Sequence, residues 1–180
     1  QLTYLLFLKM AHERATRKMA AERIKEQDID GVDATVITRL LDAGFLPVVS
    51  PLSADNAGQL LNINADTVAS AIGIALEAEK LILCTGAPGI LERLEDPRSL
   101  ISYTDVAGLR RLREEGAISE GMLPKSSAIE NAIRGGVRRV HVISYSAPDA
   151  LLAEIFTNEG KGTLVVADTK ALSAAEQGAG

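Results

Sequence analysis

Tryptophan is absent from this 180-residue chain, and Phe and Tyr bring the aromatic share to only 3 %. Stacking platforms for sugars or bases are therefore not expected, and the core must be aliphatic. A single cysteine, Cys84, cannot close an internal disulfide, and no stretch reads as a signal peptide, so a reducing cytoplasm is the expected compartment. Two histidines, His12 and His141, supply too few ligands for a zinc site, so no metal-ligand set is expected in the chain. Nor does any spacing pair a serine or Cys84 with a histidine as nucleophile and base. Long apolar runs are missing too. The stretch Leu5–Leu8 stops at Lys9, far short of a membrane span. Cationic excess is lacking: 19 Lys+Arg against 24 Asp+Glu give a net charge of −5, which argues against nucleic acid or an anionic membrane as partner. The glycine-rich signatures of P-loop and dinucleotide-binding proteins do not occur.

What is present is a chain that is 47 % hydrophobic and long enough for one domain with a real core. Residues 1–31 stand apart: an apolar start gives way to a charge-dense stretch, His12–Glu26, without Gly or Pro, and reads as one helix. From Val32 short apolar runs alternate with helical stretches. A helix leads to Gly44, and Phe45–Val49 reads as a buried strand. Ser53–Gly58 is turn-like, Gln59–Asn62 a short strand, and Ala65 to about Glu79 an Ala-rich helix. Lys80–Thr85 is the clearest strand, followed by a long loop to about Tyr103. Helices are expected at Asp105–Glu115, Pro124–Arg134 and Pro148–Phe156, with strands at Val137–Ser144 and Thr163–Ala167. No internal repeat is evident. Residues 32–168 form the expected domain, and 169–180 an Ala/Gly-rich frayed tail. This alternation predicts an α/β layered domain with a mostly parallel sheet.

Four places could carry chemistry. Asn62-Ile63-Asn64-Ala65-Asp66-Thr67 lies between a strand and a helix, where ligands collect in parallel sheets. Asn62 and Asn64 can donate to a carboxylate, while Asn64 or Asp66 can equally serve as a helix cap. Thr85-Gly86-Ala87-Pro88-Gly89 follows the best strand; its small residues admit a ligand or simply make a turn. Gly121-Met122-Leu123-Pro124-Lys125 opens a helix, and Lys125 sits in its first turn beside free backbone N–H groups. It is either solvated or joins those groups in holding a phosphate. His141 lies inside a strand, where a hydrogen-bonded core residue is expected, and no second histidine lies nearby to suggest metal binding.

Taken in order, these segments are similar to those of the acetylglutamate kinases of the amino acid kinase family. The likeness rests on Asn62–Thr67, Ala78–Leu83, Thr85-x-x-Pro88-Gly89-Ile90-Leu91, Gly121-Met122-x-Pro124-Lys125, Gly135-Gly136-Val137-x-Arg139–Ile143 and Phe156-Thr157-x-Glu159-Gly160-x-Gly162-Thr163. It runs from about Val32 to Val166, some three quarters of the chain. The resemblance implies a three-layer αβα sandwich. It implies ATP and Mg²⁺ as cofactors, and transfer of the γ-phosphoryl group to the side-chain carboxylate of N-acetyl-L-glutamate in arginine biosynthesis. It would make Lys125 the stabiliser of the transferring phosphoryl group and Asp66 the holder of active-site lysines. Asn62 would contact the substrate, with Asn64 beside it, and Thr85, Gly86, Gly89, Gly121 and Met122 would lie along the nucleotide. His141, Glu154 and Gly160 fall where arginine-sensitive members bind their effector, and those members are homo-oligomers. A kinase-like module that senses arginine without catalysis, or a sister kinase for another amino-acid carboxylate, would share most of these segments.

Three features depart from the family pattern. The strand with an active-site Lys and a Gly pair that opens the family's first lobe is not found, since no Gly precedes Gly31, so the domain is expected to be incomplete at its N-terminal side. Gly86 stands where Asp is usual, and Glu120 where the first Gly of Gly-Gly-Met is usual.

Overall fold

The computed structural model describes residues 32–54, 57–93, 95–118, 120–156 and 160–171. The expected N-terminal helix at 1–31 lies outside them. Helix α1 (Thr35–Asp42) precedes an antiparallel pair, β1 (Leu52–Ala54) and β2 (Leu60–Asn62). Then follow α2 (Ala65–Ala75), β3 (Lys80–Thr85), β4 (Tyr103–Asp105), α3 (Val106–Glu114), α4 (Leu123–Arg134), β5 (Arg139–Ser144), α5 (Ala150–Phe156) and β6 (Thr163–Val166). The four-stranded sheet has the order β3-β5-β6-β4. The β3/β5 and β4/β6 pairs are parallel and β5/β6 is antiparallel.

Strand alternation distributes the core over two faces. Leu81, Leu83, Val140, Val142 and Val165 pack with Ala69 of α2, Leu109 and Leu112 of α3, and Ile129, Ala132 and Ile133 of α4. Ile82 and Ile143 point the other way, against Ala150 and the partly buried Leu151 and Ile155 of α5. Helices on both faces make three layers, as expected. Each fully buried Leu or Ile here contributes about 1.5–3 kcal/mol. The antiparallel entry of β6 depends on Gly162. A Cβ there would collide with the carbonyl oxygen of Val142, so only glycine lets the chain pass β5 so closely.

A structural repeat emerges where the sequence reading finds none. Lys80 pairs with Arg139 and Thr85 with Ser144, so one offset in the chain relates the whole of β3 to the whole of β5. The helices keep that offset: α2 ends at Ala75 and α4 at Arg134, each the same number of residues ahead of its strand. Both then stop with the same pair of backbone bonds. Glu77 and Ala78 donate to Ile74 and Gly73, while Gly136 and Val137 donate to Ile133 and Ala132. This is the Schellman ending, which needs a left-handed residue. At α4 that residue is Gly136 (φ +106°); at α2 it is Glu77 (φ +50°). The sequence conceals the repeat because few side chains match across the offset; what it preserves is spacing.

Several boundaries differ from expectation. Phe45–Val49 is not a buried strand. Phe45, Leu46 and Val48 are 63–67 % exposed, no ladder runs beside them among the described residues, and Pro47 has no N–H to give one. β1 occupies part of the expected Ser53–Gly58 turn, and β4 begins at the end of the expected loop. The Ala-rich helix stops at Ala75 because Glu77 turns left-handed. Asp105 is the N-cap of α3 rather than a helical residue, accepting from Gly108 N at 2.8 Å. The tail begins with a 3₁₀ turn, Thr169–Ala171, where Thr169 Oγ1 donates to Asp105 at 3.1 Å.

Relief of the left-handed strain at Glu77 is measurable. Glu77→Gly should stabilise the fold by about 1 kcal/mol, and Gly136→Ala should destabilise it by about as much. Thermal melts followed by circular dichroism would read opposite shifts of a few degrees. A melting temperature unchanged or lowered in Glu77→Gly would contradict this account.

Candidate functional site

The offset that relates β3 to β5 also determines what meets at the head of the two long helices. α2 and α4 run parallel because each feeds one of two parallel strands through a turn of equal length. Position 66 on α2 and position 125 on α4 therefore lie at the same height. The residues there are an acid and a cation: Lys125 Nζ donates to Asp66 Oδ1 at 2.7 Å. Lys125 is buried, 8 % exposed, and Asp66 half-buried. Small residues allow the close approach of the helices. At the far end, Ile74 of α2 lies against Gly135, where a Cβ would collide with it.

Both helices present their N-termini here, at the level of the carboxyl ends of β3 and β5. The two aligned helix macrodipoles make that end positive, and a buried ammonium adds a full charge. Such a place suits a polyanion. One carboxylate, Asp66, keeps the ammonium from standing uncompensated when no anion is bound. Partial burial pushes the Cys84 thiol up from its ordinary value, and the charge of Lys125 acts on it in the opposite sense.

The other expected site residues divide into those exposed around this end and those used internally. Asn62 ends β2 and is exposed. Asn64 is the N-cap of α2; its Oδ1 accepts from Asp66 N at 2.9 Å and Thr67 N at 3.3 Å, so the capping alternative accounts for that oxygen. Thr85 ends β3, half-buried, with its carbonyl accepting from Tyr145 N at 3.0 Å. Gly86 is exposed, and a Cβ there would meet the Tyr145 hydroxyl at 3.2 Å. Gly89 is buried, and the room a Cβ would need is filled by Leu100 and Thr163, both at 2.7 Å, so its smallness serves packing. Ile90 N donates to Thr163 Oγ1 beside it at 2.8 Å. Gly121 is exposed, and a Cβ there would meet nothing within 4 Å; Met122 packs on the larger core cluster. Among the described residues no group of three or more His, Cys, Asp or Glu side chains is placed to hold a metal ion. No helix among them is long and apolar enough to cross a membrane.

A second cluster lies on the opposite face of β5. His141 Nδ1 meets Glu154 Oε1 of α5 at 2.5 Å, and both residues are buried. The other carboxylate oxygen accepts from Lys161 N at 3.2 Å. A Cβ at Gly160 would stand 3.1 Å from both oxygens, so glycine lets the loop close over the carboxylate. The three residues singled out in the sequence, His141, Glu154 and Gly160, converge here. Burial pushes the Glu154 carboxyl up, but the His141 hydrogen bond and charge, the Lys161 N–H and the Lys80 charge outweigh it. The net effect is a carboxyl below its ordinary value. His141 Nε2 is buried without a hydrogen-bond partner among the described residues.

Sequence reasoning did not single out Arg113, Ser126 and Glu130. Arg113 Nη2 of α3 donates to Ser126 Oγ at 2.8 Å, next to Lys125. Glu130 of α4 is buried and takes Arg110, Arg134 and, at 3.8 Å, Arg113. The adjacency of Ser126 to Lys125 was the one visible signal; a partner on a different helix gives none.

The sequence profile of the Amino acid kinase family matches residues 10–144. The chain belongs to the amino acid kinase family. Its curated relatives include the acetylglutamate kinases of Myxococcus xanthus, 47 % identical over 77 % of this chain and 45 % of the relative, and Archaeoglobus fulgidus, 48 % identical over 74 % and 46 %. The acetylglutamate kinase of Thermosynechococcus vestitus is 45 % identical over 84 % of this chain and 51 % of its own length. The chain spans about half the length of the curated relatives it matches. Among solved structures, N-acetylglutamate synthase from Neisseria gonorrhoeae complexed with coenzyme A and L-arginine superposes with a TM-score of 0.70. It is 28 % identical, over 76 % of this chain and 31 % of that one. Carbamate kinase from Giardia lamblia bound to AMP-PNP superposes at 0.58 with 21 % identity, over 76 % and 45 %, and shares the fold. The mixed α/β sheet with helices on both faces is thus the amino acid kinase architecture.

The lowered Glu154 pKa fixes the sign of an acid dependence. A depressed carboxyl stabilises the fold above its unfolded value, about 4.3, and that contribution is lost as pH falls through the folded value. Melting temperatures recorded between pH 7 and pH 3 should therefore fall more steeply at the acid end for the parent than for Glu154→Gln. Parallel curves would show that the pair contributes no linkage.

Proposed function

We propose that this chain is the nucleotide-binding part of an acetylglutamate kinase. It would transfer the γ-phosphoryl group of ATP to the side-chain carboxylate of N-acetyl-L-glutamate. One observation carries this: the Lys125 ammonium, 2.7 Å from Asp66, stands at the joint N-terminal end of two parallel helices. The family assignment and the names of the curated relatives support the choice of substrate.

The chemistry needs little else from side chains. A carboxylate is already ionised near neutral pH, so no general base is required. The obstacle is that one anion must attack another. The bond from the γ-phosphorus to the bridging oxygen breaks as the bond to the carboxylate oxygen forms, and ADP leaves with the charge. Lys125 would neutralise charge on the transferring group, the helix N-termini would orient the phosphates, and Asp66 would keep the ammonium aimed between turnovers. The positive helix ends fit a triphosphate. Mg²⁺ brought in with the nucleotide would lower the negative charge of the phosphates that the helix ends would hold. Asn62 and Asn64 would meet the acetylamino acid, Thr85 and Gly86 the nucleotide. Homo-oligomerisation, implied by the family, belongs to the same proposal.

A second component rests on the other face of β5. His141, Glu154 and Gly160 would bind L-arginine as an effector, with the Glu154 carboxylate facing a guanidinium. The synthase structure that superposes at 0.70 is complexed with L-arginine, which favours this reading, as it does the alternative of a module that senses arginine without phosphorylating.

Trapping the acyl phosphate with hydroxylamine, with ATP and N-acetyl-L-glutamate supplied, tests the reaction. Lys125→Ala should lose about 10²-fold or more in turnover. An unchanged rate would remove Lys125 from the mechanism; absence of hydroxamate with the parent chain would leave the sensing alternative. For that alternative, L-arginine at millimolar concentration should raise the melting temperature of the parent and not of Glu154→Ala. No shift in the parent would dispose of the effector site.

A further inference from the structure

Lys125 can be held in place only if the first turn of α4 is held, and that turn has no ordinary cap. Its N-cap residue, Met122, makes no side-chain hydrogen bond, and Pro124 has no N–H to anchor. The turn is tied instead by Ser126, which is fully buried. Ser126 Oγ donates to Leu123 O at 2.9 Å and accepts from Arg113 Nη2 at 2.8 Å. Ser127 Oγ adds a weaker bond to the same carbonyl at 3.2 Å.

Arg113 is not held there by its own satisfaction. Its Nε is buried with no hydrogen-bond partner among the described residues, an arrangement that costs free energy. What fixes it is charge. Glu130 Oε2, one helical turn beyond Ser126, lies 3.8 Å from Arg113 Nη2. The Arg110 hydrogen bond, aided by the charges of Arg110, Arg134 and Arg113, holds the Glu130 carboxyl below its ordinary value despite burial. The chain Glu130–Arg113–Ser126–Leu123 thus pins the Leu123–Pro124 peptide, in the turn that carries Lys125, to α3.

We propose that Arg113 is a positioning residue. Acting through Ser126, it fixes the first turn of α4 so that the Lys125 ammonium meets Asp66 and, on the reading above, the transferring phosphoryl group. The inference rests on that reading only for its effect on turnover; the effect on Lys125 stands apart from it.

The test uses the full chain and two readouts. The first is the Lys125 ammonium signal in ¹⁵N-correlated NMR, assigned by its loss in Lys125→Arg. A paired, buried ammonium exchanges slowly enough to be seen. The signal should vanish or broaden in Arg113→Met, return in part in Arg113→Lys, and persist in Arg134→Met, which removes another partner of Glu130 but not the link to Ser126. The second is acyl-phosphate formation. Arg113→Met should lower kcat about tenfold or more while KM for N-acetyl-L-glutamate stays within about twofold, with partial rescue by Arg113→Lys. Should Arg113→Met not fold, Ser126→Ala removes the same link by one hydroxyl and carries the same expectations. An ammonium signal unchanged in these variants, or a loss equal in Arg134→Met, overturns the proposal. A signal present in the parent and lost in Arg113→Met, with no acyl phosphate made by the parent, upholds the positioning role and sinks the kinase reading alone.

Discussion

A lysine and an aspartate from distant stretches of the chain share a positively charged corner because two helix–strand units are cut to matching lengths. The ion pair does not build the fold. A buried ammonium with a half-exposed partner gives back in desolvation much of what it gains in attraction. The dependence runs the other way: parallel pairing of β3 with β5, equal turns and close helix contact at Gly135 fix where position 125 falls relative to position 66. Hydrophobic burial supplies the stability, and the geometry it enforces supplies the charge arrangement.

Strand β5 is shared by two chemistries. Its even-numbered residues Val140 and Val142 face α2, α3 and α4. On the other face His141 meets Glu154 under α5. The two polar clusters lie on opposite faces of the sheet, without a domain boundary between them. In both, a buried charged group meets a group of opposite charge: Lys125 meets Asp66, and Glu154 meets His141.

How much was legible in the sequence follows from what each signal depends on. Lys80–Thr85 and the strand containing His141 were readable because a continuous apolar run is needed wherever a strand is covered on both faces. Pro124 and Asn64 marked helix starts through local rules that need no tertiary knowledge. The Asp66–Lys125 and His141–Glu154–Gly160 groupings came from resemblance, since no local rule joins residues on different elements. Phe45–Val49 was misread because apolar content alone cannot say whether a ladder partner stands alongside. Gly89 illustrates a subtler limit: a glycine that admits a ligand and one that admits a leucine look identical in one dimension. The bond between Arg113 and Ser126 is illegible for the same reason, an interhelical bond being a matter of crossing geometry rather than of period.

The matched helix–strand units have a consequence for how this region can vary. Exchanging one side chain for another along α2 or α4 leaves the spacing alone, so much of their surface is free to drift. Inserting or deleting a residue is different. One extra residue taken up within α4 ahead of β5 would swing its first turn by about 100° around the helix axis and slide it by about 1.5 Å. The ammonium would then face away from Asp66 even though every amino acid of the site was still present. Only a compensating indel in α2 could bring the two heads back into phase, so length is the quantity that selection must guard here, more strictly than composition.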